Sequence, residues 1–315
     1  MEYRDLSYCA ATQRGWWAVQ SRVTQRIFTA RTHPESELPE GPLTLDESLD
    51  GAVNPSISDD DEWLLFASIK PAGDGARHIV RHVPTGRQQT VAEIPVQSTG
   101  LPKVASSADV VLTTGPHGHG LLLRLPFLQP IRDNIPLEAI VWDISRDGGV
   151  ILSASPTLPR AIRAQDSGSE AVSTIVVDPK RNLYLADLSS DERWLVFVAE
   201  EPGGGLPVLY AAPYRRGRTT PQSEWIRLGR GDYPHWSVSG SVVYFLDESL
   251  PVPELRMQRV NPVTKRPAGE PITLQVFSGE CTPGDLQPGT FRITASRRRI
   301  MVTLARGETR LIEGR

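Results

Sequence analysis

The chain predicts an all-β fold, a ring of four-stranded antiparallel blades, and three observations predict it. Short apolar runs rich in β-branched and aromatic residues, such as Trp194–Ala199 and Val242–Phe245, are bounded by Ser, Asp, Gly and Pro, the punctuation of strands and tight turns. The 27 Pro and 26 Gly leave little room for long helices. A pattern of serine, turn and apolar strand also recurs at about 45 residues, the period of a propeller blade rather than of a helical solenoid.

Five copies align on a serine that precedes the turn: Ser58, Ser106, Ser145, Ser189 and Ser237, spaced 48, 39, 44 and 48 residues apart. Weaker copies stand at each end, Leu6 to Val19 and Phe291 to Thr303, giving modules centred near residues 11, 58, 106, 145, 189, 237 and 294. The expectation is one propeller domain over residues 1–315, with seven blades and six as the alternative.

Each module reads the same way. An apolar strand ahead of the serine lines a central channel. Ser and Asp supply acceptors for the turn, and Gly148 or Gly240 takes a positive φ there. The next strand is apolar at nearly every position because neighbouring blades cover both its faces. Third strands follow at Gln25–Ala30, Arg77–His82, Leu121–Leu125, Ala161–Gln165, Val208–Ala212, Leu255–Val260 and Thr309–Gly314. Outer strands are read at Pro42–Asp46, Gln89–Ile94, Ser173–Val177, Trp225–Leu228 and Pro271–Val276, with none marked after Leu125. The Pro-rich pieces Pro34–Pro42, Pro126–Pro136, Pro213–Pro221 and Pro283–Pro288 read as surface connections. Ring closure is expected from Glu2–Leu6 as the missing outer strand of the last module.

Hydrophobic residues make up 39% of the chain and charged residues 23%, and the net charge of −3 gives no general attraction to nucleic acid or anionic membranes. No apolar run reaches membrane-spanning length, and Met1–Leu6 lacks the basic and apolar regions of a secretion signal. The expected location is cytoplasmic, unless the chain is a domain of a longer protein that could be membrane-anchored. Cys9 and Cys281 make neither a disulfide framework nor a metal motif.

The Ser-x-Asp-x-x-x-(Leu/Val)-x-Phe blade pattern resembles the TolB-type, WD-like β-propeller repeats. Ser223–Ile226, Tyr233–Ser237, Val243–Leu246 and Arg259–Pro271 look like the C-terminal propellers of bacterial regulators, in which a Ser/Thr kinase or winged-helix domain precedes the ring. Asp61, Val110 and Glu192 replace the Gly expected after the turn Asp, and Ser239-Gly240 replaces Asp-Gly. The resemblance implies a fold; propellers host many activities.

No catalytic motif stands out. There is no Gly-x-Ser-x-Gly elbow, and Gly203–Gly205 reads as a hairpin turn, not a phosphate loop. His117 and His119 read as a loop tip, His78 and His82 as a solvated strand face, and Asp59–Glu62 as a turn; no metal or other cofactor is expected. Arg215–Arg218 and Arg297–Arg299 read as solvated basic clusters.

The informative positions lie just ahead of the aligned serines, at the channel mouth. Two residues before them stand Ser56, Val104, Asp143, Asp187 and His235, with Asn54, Lys103, Trp142 and Tyr233 as neighbours. A ring mixing acid, base, amide and aromatic groups is what a polar ligand site needs; the alternative is a set of groups satisfying one another and channel water. The expected site is Asn54, Ser56, Lys103, Trp142, Asp143, Asp187, Tyr233 and His235, binding a protein or small polar ligand without catalysis. The other readings are a hydrolase or lyase acting on sugar or peptide through Asp143 and Asp187, and the gating propeller of a peptidase.

Overall fold

The computed structural model describes residues 3–12, 15–70, 75–95, 102–114, 119–137, 140–154, 160–169, 171–200, 205–247, 252–277 and 292–314. Within them the chain forms a propeller of six antiparallel sheets, not seven. Blade 1 comprises Ala52–Ile57, Trp63–Ile69, Gly75–His82 and Gln88–Pro95. Blade 2 comprises Lys103–Val104, Val110–Thr114, Gly120–Arg124 and Gln129–Ile135. Blade 3 comprises Ile140–Ile144, Val150–Ala154, Ala161–Asp166 and Val172–Val177. Blade 4 comprises Asn182–Leu188, Trp194–Glu200, Val208–Pro213 and Ile226–Arg230. Blade 5 comprises Asp232–Trp236, Val242–Asp247, Glu254–Arg259 and Ile272–Val276. In each the strands pair in sequence order, inner to outer.

Blade 6 closes the ring and accounts for the difference in count. Its inner strands are C-terminal, Arg292–Ala295 and Arg299–Gly314; its third strand is N-terminal, Gly15–Arg31, and Thr44–Leu45 lies outermost. The two weak end modules are therefore halves of one blade, joined in register from Trp16↔Gly314 to Arg31↔Arg299. Neither half could satisfy its edge alone, and pairing them leaves no open seam in the ring. Thr309–Gly314 continues the blade's second strand instead of forming a third. The expected closing segment near Glu2–Leu6 falls in Tyr3–Thr12, which pairs with the Gly15–Val23 half of its partner, away from Thr44–Leu45. The sheet thus continues past blade 6 as a three-stranded ribbon.

The core confirms the closure. Each second strand sends alternate residues to opposite faces. In blade 4, Leu195 and Phe197 pack toward blade 3 while Val196 and Val198 pack toward blade 5. Six apolar clusters result, one per blade junction, including Ile27 and Met301 of blade 6 against Leu64 and Phe66 of blade 1. Both faces of these strands are buried, which is why they read as unbroken apolar runs.

Blade 2 departs from expectation twice. Its outer strand, Gln129–Ile135, lies inside a piece read as a connection; its polar, mostly exposed sequence carries no strand pattern. Its turn is also displaced by one residue. In blades 1, 3, 4 and 5 the serine N–H bonds the carbonyl five residues on, as Ser145 to Val150 and Ser189 to Trp194; in blade 2 that bond runs from Ala105 to Val110. Ala105, not Ser106, is the true equivalent, and the left-handed turn residue is Ala108 (φ 64°), not Val110, matching Asp61, Gly148, Glu192 and Gly240.

Turn chemistry is as the residue types imply. Ser189 Oγ donates to Asp191 at 2.6 Å and accepts from Trp194 N at 3.0 Å, and Ser58 with Asp60 and Ser145 with Asp147 repeat the arrangement. None of the described helices is long and apolar enough to cross a membrane.

Candidate functional site

The inner strand of every blade is a sheet edge, so part of its backbone needs partners from outside its own sheet. The preceding blade supplies them. Ser56 Oγ accepts from Val104 N at 3.0 Å, Asp143 Oδ2 from Leu188 N at 2.9 Å, Asp187 Oδ2 from Trp236 N at 2.9 Å, and Thr294 Oγ1 from Ile57 N at 3.2 Å. These caps come from one position per blade, two residues ahead of the turn residue. With blade 2 in its correct register, that position reads Ser56, Lys103, Asp143, Asp187, His235 and Thr294 around the ring. Lys103 therefore replaces Val104 as the blade 2 member, and Val104 is a buried core residue.

Two of the six do not cap. Lys103 has no acceptor to offer; its Nζ lies 3.3 Å from Asp143 Oδ1. His235 Nδ1 lies 3.1 Å from Asp187 Oδ1. Lys103–Asp143 and Asp187–His235 form a charged belt inside the ring, with side chains 7 to 18% exposed. Burial lowers the His235 pKa, but the Asp187 carboxylate outweighs it and the net direction is up. Burial raises Asp187, but His235 and Lys103 hold it below the ordinary carboxylate range. At Asp143 burial wins over Lys103, and its pKa is raised.

Two cavities meet at this belt, and both are bordered by Lys103, Asp187 and His235. The first encloses about 430 Å³, open solvent included, and is completed by Asn54, Trp142, Tyr233 and Arg292. Asn54, Leu185 and Tyr233 each have φ near 50° at an inner-strand bulge, which turns the chain at the mouth. The second, about 520 Å³ on the same measure, lies toward the turns and is bordered by Ser56, Asp143, Asp59, Arg146, Ser190 and Glu192. There the Asp59 carboxyl of blade 1 faces Ser190 of blade 4, directly across the ring; burial raises its pKa to about 6.

All eight residues singled out from the sequence border one of the two cavities. Arg292, Thr294, Asp59, Arg146 and Ser190 were missed. Counting two and four back from Ser296 in the weak last copy would have found Thr294 and Arg292; cross-ring proximity of the turn residues leaves no mark in sequence.

The other clusters are engaged locally. Glu62 pairs with His82, and Asp61 with Arg299 and Ser296. Arg215 pairs with Glu224, and Arg216 with Asp166. Among the described residues no group of three His, Cys, Asp or Glu is placed to hold a metal ion. His119 is exposed, whereas His117, Cys281 and the Pro283–Pro288 piece lie outside the described residues.

Ring, channel and blade closure define the chain as a β-propeller. It is similar to the TolB protein of Agrobacterium tumefaciens, with 15% identity over 90% of this chain and 99% of that one at a TM-score of 0.56. A chain of a nidogen/laminin complex matches at 11% identity, 80% and 93% coverage and TM-score 0.52. An oligogalacturonate lyase solved with manganese matches at 11% identity, 96% of both chains and TM-score 0.50. No family model and no curated protein matches the chain. At these identities the likeness concerns the fold alone.

Proposed function

We propose that this propeller is a non-catalytic binding module that takes a protein segment or a small polar ligand at the mouth of its axial channel. One observation carries the reading: the eight residues chosen from the repeat alone border two cavities that meet at the Lys103–Asp143–Asp187–His235 belt. The runner-up, a hydrolase or lyase using Asp143 and Asp187, is disfavoured by their bonding. Each has one oxygen held by a backbone N–H of the next blade and the other by a side-chain nitrogen, Lys103 Nζ or His235 Nδ1. A general acid or nucleophile needs an oxygen that can reach substrate.

The test is a thermal-shift panel of sugars, amino acids, hydroxy acids and short peptides, run on wild type, Lys103→Gln, His235→Gln and the surface control Arg215→Gln. Neither belt substitution removes an interblade cap. The expected result is a saturable rise in Tm for one class, lost in both belt variants and kept in the control. Turnover of chromogenic glycosides or peptides that disappears in Asp143→Asn would replace the binding reading with the enzymatic one. A shift unaffected by either belt variant would move the site off the axis.

A further inference from the structure

Three residues that border one cavity each carry a buried polar atom without a partner among the described residues: Trp142 its Nε1, Arg292 a terminal nitrogen and Asn54 its Oδ1. An unmade bond at a buried group is costly, so three such groups on residues around one space point to a place shaped for something that supplies them. The Trp142 side chain is 5% exposed, and the strands around it fix its position. Elsewhere among the described residues such atoms do not gather: apart from Trp236, which borders the second cavity, the residues that carry them line neither axial space.

The chemistry of the set has a sign. Two of the three atoms are donors. Lys103, His235 and Arg292 border the cavity against one carboxylate, Asp187, whose two oxygens are held by His235 and by Trp236 N. The cavity beyond the belt has the opposite balance, with Asp59, Asp143, Asp187 and Glu192 against Lys103, Arg146 and His235. An indole N–H and a guanidinium suit the two oxygens of a planar anion, while an amide oxygen wants a donor.

Building on the proposed binding role of the axial mouth, we infer that this cavity takes a small organic carboxylate carrying a hydroxyl or N–H donor. The carboxylate meets Trp142 Nε1 and Arg292, and the donor meets Asn54 Oδ1. Lys103 adds long-range attraction while staying paired with Asp143.

Indole N–H resonances of ¹⁵N-labelled protein report on this directly, the Trp142 signal being assigned with Trp142→Phe, which keeps a ring and removes the donor. Glycerate, its neutral analogue glycerol, the cation ethanolamine and inorganic phosphate are titrated in turn. Glycerate should shift the Trp142 signal saturably and bind at least tenfold more tightly than glycerol or ethanolamine. Arg292→Met should weaken it by tenfold or more. Asn54→Asp, which suits the same backbone conformation, should weaken glycerate and favour ethanolamine. Glycerol or ethanolamine binding as well as glycerate would overturn the inference, as would glycerate affinity unchanged in Arg292→Met. Phosphate binding more tightly than glycerate would overturn the carboxylate assignment. A Trp142 signal indifferent to every probe would also overturn it, while belt-dependent thermal shifts with other compounds would leave the axial binding role standing.

Discussion

Asp59 offers the sharpest test of how the ring is held across its axis. Its carboxyl faces Ser190 from the opposite blade, and burial raises its pKa from 3.8 to about 6. A carboxyl whose folded pKa lies above its unfolded one binds more protons when folded, so stability falls as pH rises from 3.8 to 6 and stays lowered above that. Linkage with these values makes the ionised group cost about 1 kcal/mol at pH 4.5 and about 3 kcal/mol at pH 7.5, before screening by water at the channel end reduces both. Asp59→Asn keeps an acceptor for Ser190 and cannot ionise. Its stability relative to wild type should therefore improve by about 2 kcal/mol between those two pH values. Urea unfolding followed by tryptophan fluorescence reads this as a difference, so titrations elsewhere cancel. A gap that stays constant with pH, or that narrows toward pH 7.5, would refute a buried cross-ring carboxyl at this position.

Met301→Ala tests ring closure: the side chain is fully buried with Ile27, Leu64 and Phe66 where blade 6 meets blade 1, and its loss should cost about 2–5 kcal/mol in urea unfolding. A cost below about 1 kcal/mol would mean that this junction is not packed. His78 bonds Thr113 across the junction of blades 1 and 2, and burial lowers its pKa from 6.5 to about 4. The unfolded chain then binds the proton first, so stability is intact above 6.5 and falls by up to about 3 kcal/mol as pH drops to 4. His78→Gln should flatten that part of the stability–pH curve, and an unchanged slope would place the titration elsewhere.

The repeat made the blades legible because the constraints that build them are local. Ser189 and Asp191 form their turn within five residues, and Leu195 to Val198 are apolar because both faces are covered. Closure was not legible, because a strand that begins at Gly15 and one that ends at Gly314 carry no local sign that they pair. One signal existed: Trp16 to His33 contains neither Gly nor Pro, longer than any blade strand requires. The outer strand of blade 2 was hidden for another reason. An exposed edge strand needs no apolar alternation, so Gln129–Ile135 looks like a loop. In blade 2 the chain also puts two serines beside an alanine, and only the backbone bond from Ala105 to Val110 shows which residue holds the turn.

That one-residue correction changes what the ring means. Once Lys103 takes its place, the six equivalent positions divide by chemistry. Ser56, Asp143, Asp187 and Thr294 accept a backbone N–H from the next blade, a task the fold sets at every junction. Lys103 and His235 do not, and they stand in blades 2 and 5, opposite each other across the channel. Places where a repeat gives up its structural residue are where selection for something other than folding is to be sought. The caps explain why acids can sit in a buried ring at all, since each is held by a backbone donor and a basic side chain. They do not explain why a lysine and a histidine interrupt the series, or why Trp142, Arg292 and Asn54, which border the cavity beside that pair, each keep a buried polar atom without a partner among the described residues. The proposed ligand site on that side of the belt would account for both.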